Sequence, residues 1–186
     1  MPPKVKVQKQ DILNAAVELV RQYGEQAINT RSIAAALNCS TQPVYSNFAT
    51  MEELRLAVVQ AADALSQAYM KREMERGEYP PYKANGMAYI QFAKEEKELF
   101  KLLYMRDRSS ESIPEETELT DQMESMVHHN TGLVGTDKKL FHLEMWAYVH
   151  GIAAMMATGY LDLEWELVSR MLTDSYEGLK LRYKGE

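Results

Sequence analysis

Cysteine is almost absent: Cys39 stands alone among 186 residues. One thiol can build neither an intrachain disulfide framework nor a cysteine zinc site, which fits a reducing cytosol. Long apolar runs are missing as well. The longest apolar-rich stretch, GIAAMMATGYL, falls well short of the roughly 20 residues that a membrane span needs. The N-terminal MPPKVKVQKQ is basic, but no apolar run of signal-peptide length follows it. No glycine-rich phosphate loop, metal-ligand spacing or nucleophile–base pair appears. The expectation is a soluble, cytoplasmic, non-enzymatic protein with no membrane association, no metal and no cofactor.

Positive charge is scarce too, with 21 Lys and Arg against 27 Asp and Glu and a net charge of −6. That average argues against a nucleic-acid partner, yet it hides an asymmetry. Residues 1–55 hold six bases and five acids, a balance of +1, whereas residues 56–186 hold 15 bases and 22 acids, a balance of −7. The first part permits phosphate binding without demanding it.

What the chain has is helical periodicity and, at 46% apolar residues, ample material for a core. Ile12, Ala15, Ala16, Leu19, Val20 and Tyr23 fall at helix spacing, with Gly24 as a stop. Thr30 reads as the N-cap of a second helix carrying Ile33, Ala34 and Leu37 on one face. Asn38-Cys39-Ser40 breaks the run, and Ser40 reads as the cap of a third helix that turns Val44 and Phe48 inward. A fourth helix is expected from Met51 to about Glu75, and another from about Tyr82 to Met105 with a kink near Lys97. A polar loop around Pro114 precedes a helix from Glu116 to Asn130. Two long helices, from Lys138 to Thr158 and from Leu163 to Tyr183, end the chain. The predicted architecture is all-α with about nine helices. A three-helix helix-turn-helix domain spans residues 1–55, and a helical bundle for ligand binding and dimerisation spans 56–186.

Helix two, a three-residue turn and helix three have the spacing of a helix-turn-helix, whose second helix enters the DNA major groove. Packing Val44 and Phe48 inward turns Thr41, Gln42, Tyr45 and Ser46 outward. Hydroxyl and amide groups bond base edges or phosphate oxygens, where a Glu would repel the backbone. A polar turn in an ordinary bundle has the same spacing.

The stretch ILNAAVELVRQYGEQAINTRSIAAALNCSTQPVYSNFATMEEL resembles the DNA-binding domain of the TetR family of repressors. The resemblance lies in Tyr23-Gly24, Thr30 to Ala34, Ser40, Val44-Tyr45, Phe48 and Glu52-Glu53-Leu54. It implies that Thr30 and Arg31 lie against the DNA backbone or a groove edge, with Thr41, Gln42, Tyr45 and Ser46 on the reading helix. Two departures stand out: Met51 replaces a common phosphate-gripping Lys, and Asn47 a common His. Lys4, Lys6 and Lys9 are candidates for a compensating arm.

MWAYVHGIAAMM resembles, more weakly, the C-terminal region of the family subgroup with a W…HG pattern, here Trp146, His150 and Gly151. Gly inside a helix costs about 1 kcal/mol relative to Ala, so the missing side chain should be needed. Ala147, Gly151, Ala154 and Thr158 form a stripe of small residues, and Val168, Leu172, Ser175 and Leu179 an apolar face on the last helix. Two helices from each of two chains would make a four-helix dimer interface. Phe92, Tyr104, Met105, Met123, Met126, Trp146 and His150 are candidates for an effector pocket. His128-His129 point too far apart on a helix to chelate one ion. The expected function is a one-component regulator, released as a repressor from a palindromic double-stranded operator by a small, largely apolar molecule. The alternative is a helical sensor or scaffold that has lost DNA binding.

Overall fold

The computed structural model describes residues 7–106 and 118–184, with side chains of the second stretch described from residue 123. The expected loop around Pro114, with Lys4 and Lys6, lies outside the described residues. Nine α-helices and one 3-10 turn are present among those described: α1 (Lys9–Tyr23), the turn Glu25–Ala27, α2 (Thr30–Ala36), α3 (Gln42–Asn47), α4 (Met51–Arg76), α5 (Pro81–Glu95), α6 (Lys97–Tyr104), α7 (Glu118–Thr131), α8 (Gly135–Ala157) and α9 (Trp165–Lys184). The fold is all-α, as the periodicity predicts.

Two compact units emerge. The described residues up to Ser66, together with Glu96–Arg106, form one; Gln67–Glu95 and the described residues after 117 form the other. These units do not divide between residues 55 and 56. The reason is packing: α4 continues unbroken past 55, and α6 brings buried Leu99, Phe100 and Leu103 into the first unit.

In the first unit Ile12, Ala16 and Val20, four residues apart on α1, are all fully buried. Ile33 of α2, Val44 of α3 and Leu54, Val58 and Ala62 of α4 are buried in the same unit. Gly24 ends α1 at φ +82°, in the region that favours glycine, and its N–H closes on Val20 O at 2.8 Å. The expected caps shift by one residue. Asn29, rather than Thr30, caps α2: its side-chain oxygen accepts the Ser32 N–H at 2.9 Å. Thr41, rather than Ser40, precedes α3, with its carbonyl taking the Val44 N–H at 3.1 Å. The kink expected near Lys97 is a full break at Glu96, where φ −116° and ψ 51° leave the helical region. Arg21 of α1 grips the Glu96 carboxylate through two bonds of 2.8 and 2.9 Å, a bidentate pair.

In the second unit α5 is the central element, with Ala84, Met87, Ala88, Ile90, Phe92 and Ala93 all fully buried. It packs mainly on α8, and also on α7 and α9. Gly86 explains how closely: a Cβ there would meet Leu172 Cδ2 at 3.0 Å and Val149 Cγ2 at 3.4 Å. Near the α7–α8 turn, Val127, Phe141 and Met145 form a cluster closed over by Tyr82, Tyr176, Leu179 and Tyr183. Phe141 meets Tyr176 edge-on at 5.4 Å, the favoured aromatic geometry.

Candidate nucleic-acid interface and effector cavity

Helix α3 is short because both its ends are fixed by its own sequence. Pro43 sits in its first turn, where a missing N–H removes no helical bond. Asn38, at φ +50°, sets the turn before it, and the Cys39 N–H returns to Ala34 O at 2.9 Å. Val44 and Phe48 are buried, so Thr41, Gln42, Tyr45 and Ser46 are exposed, as the spacing predicts. Ser46 Oγ donates to Gln42 O at 2.9 Å, and Gln42 Nε2 reaches Ser46 Oγ at 3.4 Å. Tyr45 stands 61% exposed, a large aromatic turned to solvent. Thr30 Oγ1 lies 3.4 Å from the Tyr45 hydroxyl and 3.3 Å from Met51 Sδ, which joins the start of α2 to the outward face of α3. Arg31 is exposed beside it and makes no ion pair among the described residues. This face offers hydroxyl, amide, phenol and guanidinium donors with no carboxylate among them, a surface able to approach phosphate and base edges.

Two residues singled out in the sequence find local partners here. Asn47 is turned back on its own helix, its Nδ2 donating to Pro43 O at 2.8 Å. Lys9 is no arm: it lies in α1, pairs with Glu53 at 2.8 Å and sits 4.5 Å from the Phe48 ring centre. Glu53 also accepts the Ala49 N–H at 2.8 Å while its own N–H goes to Thr50 Oγ1 at 3.0 Å. The reciprocal bonds anchor the start of α4 in the manner of a capping box. Lys9 first, then the Ala49 N–H, hold the Glu53 carboxyl below its ordinary pKa.

The second unit encloses a cavity of about 500 Å³, within the range of small-molecule sites. Its walls come from α4, α5, α7, α8 and α9, including Met70, Tyr82, Gly86, Tyr89, Met123, Met145, Trp146, Val149, Leu172 and Tyr176. Two phenol–imidazole pairs are built into it. The Tyr82 hydroxyl lies 3.0 Å from His142 Nδ1, and the Tyr89 hydroxyl 2.9 Å from His150 Nδ1. Burial pushes the Tyr82 phenol up and both imidazoles down, which favours the neutral forms of Tyr82, His142 and His150. Trp146 stacks on His150, with ring centres 5.1 Å apart and 18° between planes. Lys83, Asn130, Thr173, Glu177 and Lys180 bring polar groups to the same cavity.

Of the residues expected in a pocket, Met123 and Trp146 line this cavity, and His150 stands behind Trp146. Phe92 does not: it is fully buried, edge-on to Tyr69 at 5.4 Å. Tyr104 and Met105 fall in the first unit, where the Tyr104 hydroxyl meets Ser66 Oγ at 3.0 Å and Met105 is exposed. Met126 is half-buried on α7 and is not among the residues lining this cavity. Tyr82 and Gly86 line the cavity without having been expected there; their spacing with Tyr89 along one face of α5, with glycine in the middle, was the available signal.

The small-residue stripe of α8 is open. Ala147 and Thr158 are exposed, and a Cβ added at Gly151 would meet nothing within 4 Å. On α9 the expected face is corrected. Val168 and Leu172 are 0% and 2% exposed within the chain, Leu172 lines the cavity, and Leu179 covers the Phe141 cluster. Ser175 also turns inward, towards Met145 Sδ at 3.7 Å. The open face of α9 carries Leu167, Gly178 and Leu181 instead. Among the described residues no group of three His, Cys, Asp or Glu could hold a metal ion, and no helix is long and apolar enough to cross a membrane.

Comparison with known proteins matches two separate stretches of the chain. A model of bacterial regulatory proteins of the tetR family matches residues 12–58, and one of the tetracyclin repressor-like C-terminal domain matches residues 82–175. A TetR-like transcriptional regulator from Rhodococcus sp. RHA1 is similar at TM-score 0.68 and 18% identity, over 100% of this chain and 98% of that one. A protein of unknown function from the same organism gives TM-score 0.73 and 21% identity, over 97% and 99%. A TetR family member from Streptomyces coelicolor A3 gives 0.62 and 16%, over 90% and 96%. At such identities the likeness to these structures is one of fold. No curated protein matches the chain.

Proposed function

The chain belongs to the TetR family of bacterial transcriptional regulators, and from that premise we propose that it is a dimeric, cytoplasmic repressor released from a palindromic operator by a small, largely apolar effector. The observation that carries the reading is the outward face of α3. Thr41, Gln42, Tyr45 and Ser46 stand clear of the core that holds Val44 and Phe48, with Thr30 and Arg31 beside them. In this reading Gln42, Ser46 and Tyr45 read base edges, while Thr30, Arg31 and Thr41 fix the register on phosphates. The protein acts by binding and catalyses nothing.

Two copies are needed, because a two-fold protein matches a palindrome with reading helices about 34–36 Å apart. The open faces of α8 and α9 support pairing across Ala147, Gly151, Ala154 and Thr158 on one helix and Leu167, Gly178 and Leu181 on the other. Gly151 and Gly178 each give up helix propensity with no neighbour inside the chain to require it. The cavity is the effector site in this reading. Helix α4, and the stretch from α5 into α6, both run from one unit into the other, so an occupant that biases them by about 1–3 kcal/mol suffices to change operator affinity.

The test is titration of the purified protein onto DNA flanking its own gene, across a salt series, beside the Gln42→Ala, Tyr45→Ala double variant. Saturable binding that falls steeply with salt and is lost in the double variant is the expected result. No binding to that DNA or to a random-sequence pool at low salt would leave a helical sensor without DNA, the reading that Met51 in place of a phosphate-binding Lys favours.

A further inference from the structure

We propose that the effector is an amphipathic carboxylate: an apolar, partly aromatic body inside the cavity and one anionic head held by Lys83 and Lys180. This deepens the effector reading above and rests on it. The argument starts from the walls. Gly86, Val149 and Leu172 are apolar and closely packed, and the Tyr82 and Tyr89 hydroxyls are each engaged with an imidazole Nδ1, of His142 and His150. These groups suit an apolar or aromatic body and give it no charge to meet.

The charged groups are arranged differently. Lys83 is half-buried on α5, its Nζ donating to Thr173 Oγ1 of α9 at 2.8 Å and lying 4.9 Å from the Tyr79 ring centre. Lys180 comes from α9, two turns beyond Thr173, with its Nζ 5.7 Å from the Tyr176 ring centre. Both line the cavity, and neither makes an ion pair among the described residues. Elsewhere Lys9, Lys94, Lys101 and Lys138 each hold a carboxylate at 2.6–2.9 Å. Burial lowers the pKa of Lys83, the mark of an ammonium that has lost water without gaining a counter-ion. A carboxylate supplies that counter-ion through charge-assisted hydrogen bonds. Glu177 is the opposing charge at the cavity, and it is exposed on α9. Against two lysines it leaves the lining with one excess positive charge, which favours an anion over an amine.

The experiment is calorimetric titration of the full chain, without DNA, with two matched series: biphenyl-4-carboxylate and decanoate, their primary amides, and the corresponding amines. The carboxylates are expected to bind about tenfold or more tightly than the amides, as a charge-assisted bond provides, with the amines weakest. Lys83→Met should bring carboxylate affinity down to that of the amide and leave the amide unchanged, while Lys83→Arg keeps the preference. Lys180→Met should weaken the carboxylate alone, which guards against a folding defect in either single variant. The proposal is overturned by amides equal to carboxylates, by amines binding tightest, by indifference to both lysine variants, or by no saturable binding of either carboxylate. Operator affinity is read separately. Lysine-dependent binding that leaves DNA bound would uphold the carboxylate site and sink the effector role, whereas operator binding with no carboxylate preference would do the reverse.

Discussion

The two units place function on opposite sides of their packing. In the first, the candidate site is what the core leaves outside: α3 is six residues long, buries Val44 and turns its polar groups to solvent. In the second, the candidate site is a space that the core leaves inside, bounded by side chains from five helices. A surface site is therefore as stable as the core beneath it, and its chemistry can change with little cost to folding. A cavity is part of the core, so chemistry and stability change together.

The sharpest way to test that contrast is to remove the floor under α3. Phe48 is 2% exposed and lies under the Lys9–Glu53 pair. Phe48→Ala should cost about 3–5 kcal/mol of stability and abolish DNA binding, while effector binding by the second unit persists. Thermal melts and calorimetry on one sample check both. Loss of both activities together would mean that the two units do not fold separately.

The same contrast explains what was legible in the sequence. Six surface positions on and beside α3 could be named because a short helix with two inward anchors leaves few choices for the rest. The cavity could not, because Phe92 and Tyr89 look alike as aromatic residues of α5, and only packing tells that one meets Tyr69 and the other His150. Helix α9 misled for a related reason. It has apolar residues on two faces, and nothing local says that Val168 and Leu172 turn inward while Leu167 and Leu181 do not. The reach of α6 into the first unit was equally hidden: the periodicity places a kink near Lys97, but not that Glu96 beside it is held by Arg21, distant in sequence.

The next prediction reverses the first. Gly86→Ile drives a branched side chain into Leu172 and Val149, the nearest atoms being 3.0 and 3.4 Å from its Cβ. Overpacking of this kind costs about 1–3 kcal/mol. Effector binding should be lost with operator binding retained, and that operator complex should become insensitive to effector. Anisotropy with and without ligand reads all three.

A smaller effect is expected at Met51, half-buried at the start of α4 near Thr30. Met51→Lys adds a phosphate contact in the proposed complex, so the salt slope of operator binding should steepen by about one unit. Stability should change by no more than about 0.5 kcal/mol. An unchanged slope would place Met51 away from the DNA backbone and weaken the assignment of Thr30 with it.

The smallest effect separates the units by pH. Burial holds the pKa of both His142 and His150 below the ordinary value of 6.5, with Glu124 partly opposing this at His142. Between the folded and unfolded pKa values the unfolded chain binds more protons, so stability rises with pH there. Their contribution is complete above about pH 6.5 and declines as pH falls through that value towards the folded pKa. The first unit's counterpart is Glu53, whose depressed pKa makes its contribution fall away only below its ordinary value of 4.5. Melts between pH 7.5 and 5.5 should therefore weaken the second unit first, and His142→Gln should flatten that slope while leaving DNA binding at pH 7.5 unchanged. A slope unaffected by the substitution would mean that His142 keeps its solution pKa, and that the Tyr82 pair is wetter than its burial implies.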